Sequence, residues 1–275
     1  ALAAKLDQKD THIFTVMGDG ESDEGQVWEA AMTASKYNVD NLTLILDRNF
    51  IQQDSYTEKI MPLDESLDGD ELSEMWKDAS RWKTGDKWRS FGWNVIEVDG
   101  HNVEEMLVSI EAAKKESAKP SLICCKTTIG FGSPNKAGTS GVHGSPLGED
   151  EIEITRKQLG WSHEPFEIPE QISAEWNNCE EGNSSNSQWN DLMDEYSKIY
   201  PTEHVLLQRL IAKELPEDFT QSFEAFLEQL QSGENKDVAT RKASEICLDF
   251  FCEKLPELIG GSADLKGSNN TFSKA

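Results

Sequence analysis

The sequence predicts an α/β protein in which helices flank a parallel β-sheet. In the first half of the chain, short apolar segments typical of buried strands alternate with longer segments whose apolar residues recur at helical spacing. Strand, helix and strand in this order form a βαβ unit, whose two strands pair in parallel. With 275 residues, the chain is long enough for one large or two smaller domains.

Two βαβ units can be delimited from this pattern. The polar segment between them, 64–86, has apolar residues at helical spacing and predicts a surface excursion with one short helix. The predicted strands and helices of the two units lie, in chain order, at 12–17, 24–38, 42–47, 94–100, 102–116 and 121–127.

Helical patterns dominate the second half of the chain, from about residue 188 to 230. The low-complexity polar segment 180–188 predicts a loop, and 257–265 resembles a strand. The residues after about 235 are too few to complete an α/β core. We therefore expect a helical linker at 206–235 and the start of a truncated second α/β domain at 236–275. The sequence also lacks an initiator methionine and runs almost directly into a strand, so we expect the first domain, 1–205, to be N-terminally incomplete.

Composition excludes several functional classes. There are 51 acidic and 26 basic residues, and the formal charge of −25 disfavours general attraction to nucleic acid or to an anionic membrane. No apolar run reaches the roughly 18 to 20 residues that span a bilayer. Five cysteines without a CxxC pair indicate neither a zinc site nor a disulfide framework. We expect reduced thiols and a cytoplasmic protein.

The stretch FTVMGDGESDEGQVWEAAM, from Phe14 to Met32, places two glycines and several carboxylates directly after a predicted strand. Gly-Asp-Gly commonly ends a strand in a simple turn. The alternative is a metal-linked anion site, because Asp19 and Asn49 each follow one of two adjacent parallel strands, whose carboxyl ends meet at one edge of the sheet. A carboxylate, an amide oxygen and a backbone carbonyl are ligands that magnesium accepts.

The resemblance to a known family is specific at this point. Gly-Asp-Gly followed by an asparagine 30 residues after its aspartate resembles the thiamine diphosphate motif, and GDGESDEGQVWEAAM with LDRNFIQQD is similar to transketolases. Further similar segments, in the expected order, begin at Cys124, Leu159, Thr240 and Gly260. The resemblance implies a thiamine diphosphate-binding fold. It covers nearly the whole chain, but less than half of a typical transketolase, so we expect a fragment that is inactive alone.

Residue by residue, the resemblance implies a cofactor site in the first domain. Asp19 and Asn49 resemble side-chain ligands of Mg²⁺ or Ca²⁺, and Ile51 resembles the residue that binds this ion through its backbone carbonyl. Gly20 would place its amide against the diphosphate. Glu24 resembles a catalytic residue in the acidic network that joins the cofactor sites of two subunits, which implies a homodimer.

The resemblance also implies substrate contacts. His143 resembles the histidine near the cofactor phosphate and the reacting sugar, and Arg241 and Ser268 resemble residues that bind the substrate phosphate. Asp264 and Leu265 resemble contacts to the cofactor ring from the neighbouring subunit. Simpler interpretations remain open. His143 could be an exposed loop residue, Arg241 a charge on a helix surface and Ser268 a turn residue.

The implied function is transfer of a two-carbon ketol unit from a ketose phosphate to an aldose phosphate, in the pentose phosphate pathway. The alternatives are another thiamine diphosphate-dependent transferase, such as a dihydroxyacetone synthase, and a non-catalytic interaction subunit of the same fold. One departure from the family concerns Phe50, which follows Asn49 where the family often has glycine. That turn must either avoid positive φ or be strained.

Overall fold

A computed structural model of the chain describes residues 1–53, 55–63, 83–233, 237–262 and 265–274. The chain divides into two compact units, Ala1–Glu167 and Ile168–Ala275. The part of the predicted surface excursion at 64–82 lies outside the described residues. A helix, Thr84–Ser90, begins in its remaining part, 83–86.

The first unit is built around a four-stranded sheet within the described residues. Its strand order is β1-β2-β6-β5, with the strands at Ile13–Gly18, Leu42–Arg48, Ser121–Lys126 and Asn94–Asp99 in that order. Every pairing in this sheet is parallel. Both predicted βαβ units are therefore confirmed, and the carboxyl ends of all four strands lie along one edge.

The remaining elements of the first unit are short or cover the sheet. A two-stranded antiparallel ribbon, β3 at Ile51–Gln52 and β4 at Ser55–Tyr56, follows β2 directly. A 3-10 turn, Gly20–Asp23, follows β1, and another lies at Ser140–Val142. The helices, α1 to α6 in chain order, are Leu2–Leu6, Gly25–Lys36, Thr57–Ile60, Thr84–Ser90, Val103–Lys115 and Glu149–Gln158.

Apolar side chains are buried on both faces of this sheet, as parallel sheets require. On one face, Leu46 and Leu122 pack with Trp88 and Trp93, and the indole of Trp93 donates to the carbonyl of Ala31 at 3.0 Å. On the other face, Ile123 and Cys125 pack against α5. This packing holds the strand ends in a fixed relation to one another.

The second unit is helical in its described residues. Its helices, α7 to α12, are Glu170–Trp176, Cys179–Ile199, Pro201–Ala212, Phe219–Ser232, Thr240–Lys254 and Lys266–Asn269. The helical pattern predicted for 188–230 is confirmed. Within the described part of the chain, no helix is long and apolar enough to cross a membrane.

Two predictions for the second unit are wrong. The segment 180–188 is not a loop but part of α8, because Leu192, Tyr196 and Ile199 continue the helical spacing and each asparagine or serine costs the helix only about 0.7 kcal/mol or less. The segment 257–265 forms no strand in its described residues. A strand needs a partner for its backbone groups, and the paired glycines there offer no side chains to bury.

Candidate functional site

A cavity of about 460 Å³ lies at the carboxyl ends of β1 and β2. Three chain segments contribute to it: the turn after β1, the turn after β2 and the loop that contains His143. The predicted site residues that line this cavity are Asp19, Gly20, Glu24, Asn49, Ile51 and His143. The fold therefore brings together six residues that are spread over more than 120 positions of the sequence.

Asp19 is the buried centre of this site, with 1% of its surface exposed. Its Oδ2 accepts hydrogen bonds from Arg48 Nη1 at 2.8 Å and from the backbone N of Phe50 at 2.6 Å. Its Oδ1 is buried and has no hydrogen-bond partner among the described residues. Burial raises the pKa of the Asp19 carboxyl, although the contact with Arg48 acts in the opposite direction.

The orphaned oxygen of Asp19 is an observation that favours a cation. A buried acceptor without a partner costs roughly 1 to 3 kcal/mol, and more when it is charged. A hard divalent cation takes carboxylate oxygens as ligands and would satisfy this atom. The residues present therefore fit the metal that the family resemblance implies.

The turn that contains Phe50 is strained, which is one of the two outcomes expected from a phenylalanine at this position. Phe50 has φ +66°, in the left-handed region that favours glycine, and its side chain is fully buried. The guanidinium of Arg48 lies over its ring, 3.9 Å from the ring centroid. This backbone conformation directs the Phe50 amide to Asp19, so the strain accompanies a contact that orients the carboxylate.

Asn49 is oriented by its own set of contacts. Its Nδ2 donates to Asp47 Oδ2 at 3.0 Å, and its Oδ1 accepts from the backbone N of Ile51 at 2.9 Å. Asp47 in turn accepts a hydrogen bond from the hydroxyl of Thr127, which directly follows β6. The amide oxygen of Asn49 is therefore distinguished from its nitrogen and keeps a second lone pair for a ligand.

Gly20 lies where a larger residue would not fit. A Cβ atom at this position would come within 2.8 Å of Gln52 Cγ, so the β3 side chain would have to move. The neighbouring backbone N of Gly18 donates to Glu21 Oε2 at 2.8 Å, which closes the turn after β1. Close approach of backbone to the cavity is the use of glycine that phosphate sites require.

His143 is exposed and lies on a loop that α6 anchors. Glu151 of α6 accepts hydrogen bonds from the hydroxyl of Ser133, from the backbone N of Asn135 at 2.9 Å and from its side-chain amide at 3.0 Å. Lys136 Nζ donates to the carbonyl of Leu147 at 2.6 Å, across the base of the loop. These contacts lower the pKa of Glu151, the hydroxyl of Ser133 being the largest cause.

The other predicted residues belong to the second unit. Arg241 is exposed at the start of α11, Ser268 is exposed on the short α12, and Leu265 is 73% exposed just before it. Asp264 lies outside the described residues. The roles predicted for these four residues stay predictions.

Sequence reasoning missed Arg48, which contacts Asp19, and Glu58, which contacts Arg48. A signal was present in strand β2, where side chains alternate between faces. Leu44, Leu46 and Arg48 fall on one face, and the two leucines are 6% and 0% exposed. A buried arginine requires an acidic partner. The position of Arg48 on the buried face of β2 could therefore have identified Arg48 as part of a buried ion pair.

Comparison with known proteins accounts for this site. The family model described as transketolase, thiamine diphosphate binding domain, matches residues 3–216. The chain belongs to the transketolase family. The residues that line the cavity all lie inside the matched range, so the thiamine diphosphate-binding domain of this family contains the candidate site.

Similar transketolases cover almost the entire chain. Transketolase 1 of Escherichia coli (strain K12) is 39% identical over 267 residues, which are 96% of this chain and 37% of that relative. A crystal structure of transketolase from Pichia stipitis in complex with sedoheptulose-7-phosphate has a TM-score of 0.71 at 32% identity, over 97% of this chain and 36% of that one. A crystal structure of transketolase from Campylobacter jejuni has a TM-score of 0.70 at 29% identity, over 99% of this chain and 38% of that one.

These transketolases confirm the predicted α/β thiamine diphosphate-binding fold. The chain spans a little over one third of the length of each relative, whereas nearly all of the chain is matched. The similarity therefore includes both compact units.

Proposed function

We propose that the natural protein is a transketolase, which transfers a two-carbon ketol unit from a ketose phosphate to an aldose phosphate. The observation that carries this proposal is the convergence of Asp19, Asn49, Ile51 and His143 on one cavity at the carboxyl ends of β1 and β2. Ligands of parallel α/β sheets bind at this edge. The family membership and the complex of the Pichia stipitis relative with a sugar phosphate support the same substrate class.

We propose that the site holds thiamine diphosphate together with Mg²⁺ or Ca²⁺. Asp19 Oδ1, Asn49 Oδ1 and the carbonyl of Ile51 would bind the cation, and the Gly20 amide would approach the diphosphate. Thiamine diphosphate supplies the reactive carbon that accepts the two-carbon unit. The chain orients thiamine diphosphate through the cation ligands Asp19 and Asn49. Their hydrogen bonds within the chain are already formed and do not have to form when the ligand enters.

His143 and Glu24 have roles at the cavity wall. His143, an exposed imidazole on an anchored loop, would donate to phosphate or sugar oxygens and move a proton at the reacting sugar. Glu24 lies at the start of α2 and would join the acidic network between two subunits. Arg241 and Ser268 would bind the substrate phosphate, because a guanidinium and a hydroxyl both donate to its oxygens.

We propose a homodimer in which Asp264 and Leu265 contact the cofactor of the neighbouring subunit. The large exposed surface of Leu265 supports such a contact. We also propose a cytoplasmic enzyme of the pentose phosphate pathway. All five cysteines are free thiols, which supports a reducing compartment.

A coupled assay with xylulose and ribose phosphates, performed on the natural full-length protein, tests the function. We expect ketol transfer that requires both thiamine diphosphate and Mg²⁺, and we expect His143→Ala to lower it by about 10² to 10⁴. Glu153→Gln, an exposed change on α6 outside the cavity, is the control. Absence of transfer in a protein that binds the cofactor would contradict the proposal, and preference for formaldehyde as acceptor would favour a dihydroxyacetone synthase.

A further inference from the structure

Arg48 links Asp19 to a second buried acid. Its Nη1 donates to Asp19 Oδ2 at 2.8 Å and to Thr57 Oγ1 at 2.9 Å, while its Nη2 donates to Glu58 Oε1. The exposed side-chain fractions are 2% for Arg48, 1% for Asp19 and 0% for Glu58. Water screens such buried charges poorly. Removal of the charge on one of these side chains therefore strongly changes the electrostatic energy of the other two.

Among the described residues, the carboxylate of Asp19 is held through one oxygen, Oδ2. Arg48 and the backbone of Phe50 both donate to Oδ2, and these two donors fix the rotation of the carboxylate. Oδ1 is left as the acceptor without a hydrogen-bond partner among the described residues. Arg48 thereby determines which oxygen of Asp19 remains for a ligand.

The positive charge of Arg48 creates an electrostatic conflict. A guanidinium in contact with Asp19 opposes binding of a divalent cation to the same carboxylate. Glu58, on the short helix α3, contacts the other end of the guanidinium and offsets its charge. Removal of the negative charge of Glu58 would make the surroundings of Asp19 more positive by one charge unit. This holds whatever further contacts Arg48 and Glu58 have.

We propose that Arg48 and Glu58 form a positioning pair for the metal of the cofactor, in which Arg48 orients Asp19 and Glu58 offsets the charge of Arg48. This inference depends on the proposed function, because it concerns the cation that accompanies thiamine diphosphate. Both residues act through Asp19 and do not contact the cation.

Binding of Mn²⁺, measured by electron paramagnetic resonance in the natural full-length protein with saturating thiamine diphosphate, tests the pair. Mn²⁺ is a suitable probe because it takes the same oxygen ligands as Mg²⁺. We expect Glu58→Gln to weaken Mn²⁺ binding by about 10- to 100-fold, the usual effect of disturbing a group behind a metal ligand. Glu153→Gln, the same change on an exposed surface, should leave the affinity unaltered.

The double variant Arg48→Gln with Glu58→Gln separates charge from support of the fold. It removes both buried charges, so we expect its Mn²⁺ affinity to lie between those of Glu58→Gln and the unmodified protein. A purely structural role would make the double variant bind worse than Glu58→Gln and would overturn the proposal. Thermal unfolding without ligands identifies folded variants. If only the double variant folds, Mn²⁺ affinity equal to that of the unmodified protein would overturn the role of Arg48.

Failure of this inference can be distinguished from failure of the proposed function. If the unmodified protein binds Mn²⁺ with thiamine diphosphate, and Asp19→Asn does not, the cofactor site stands. Unchanged affinity in Glu58→Gln would then overturn the positioning pair alone. If the unmodified protein binds no Mn²⁺ in the presence of thiamine diphosphate, both proposals are wrong.

Discussion

The two compact units differ in the burial of their predicted functional residues: some of those in the first unit are buried, whereas the described ones in the second unit are exposed. In the first unit, Asp19 and Ile51 are 1% and 3% exposed and are held by buried contacts. In the second unit, Arg241 and Ser268 are exposed, and none of its described residues is buried. Substitution of the buried Asp19 should therefore change both ligand binding and stability, whereas substitution of the exposed Arg241 or Ser268 should change binding alone. The following predictions test this difference.

Asp19→Asn should have the largest effect. An amide nitrogen would replace Oδ1, while the remaining oxygen would keep its two donors, Arg48 and Phe50. We expect calorimetric titrations to show loss of metal-dependent thiamine diphosphate binding. The loss of affinity should exceed the roughly 10- to 100-fold effect of changing a residue that only supports a metal ligand. Unchanged affinity would reject the role of Asp19 as a ligand.

The same variant tests the cost of the buried charge. Because burial raises the pKa of Asp19 above 3.8 in the folded protein, ionisation of Asp19 lowers the free energy of unfolding as the pH rises past that value. Without ligands, Asp19→Asn should thus be at least as stable as the unmodified protein at neutral pH. A lower thermal midpoint would show that the charge of Asp19 stabilises the fold.

Phe50→Gly tests the strained turn of the first unit. Loss of a buried phenylalanine costs about 3 to 5 kcal/mol, and relief of the left-handed backbone returns about 1 to 2 kcal/mol. We expect a net loss of about 1 to 4 kcal/mol in the free energy of unfolding, measured with denaturant. Phe166 is the matched control, because it also has positive φ, +65°, but is fully exposed. Phe166→Gly should not destabilise the protein.

Arg241→Ala tests the second unit. We expect a higher KM for phosphorylated sugars, by about one to two decades, since a charge-assisted contact is worth about 1.5 to 3 kcal/mol. The thermal midpoint should stay the same, because Arg241 is exposed. Arg209→Ala, in the same unit, is the contrasting variant: its guanidinium binds Glu257 through two nitrogens, and its loss should affect stability and not KM. Equal loss with unphosphorylated acceptors would contradict the role of Arg241.

Glu151→Gln should have the smallest effect, limited to the loop that contains His143. The hydrogen bonds from Ser133 and Asn135 lower the pKa of Glu151, so its contribution to stability is present above pH 4.5 and is lost as the pH falls through the lowered pKa. In the Glu151→Gln variant, this part of the decrease in the free energy of unfolding at acid pH should disappear. Hydrogen exchange of the loop amides at neutral pH should also be faster, and unchanged exchange would show that Glu151 does not anchor the loop.

The sequence alone determined the architecture of the first unit. Alternating apolar strands and helical patterns predict both βαβ units, because strand and helix periods are local properties of the chain. The rule that ligands bind at the carboxyl ends of parallel strands then predicts that Asp19 and Asn49 lie together, and family motifs add Gly20, Ile51 and His143. These residues line one cavity.

Only the tertiary structure decided the contacts that no local pattern encodes. The segment 257–265 resembles a strand in its sequence, yet it forms no strand in its described residues. Phe50 adopts positive φ because its amide bonds to Asp19 and its ring packs under Arg48. The contact between Phe50 and Asp19 joins residues 31 positions apart, and the free energies of both contacts depend on burial, which the sequence order does not specify.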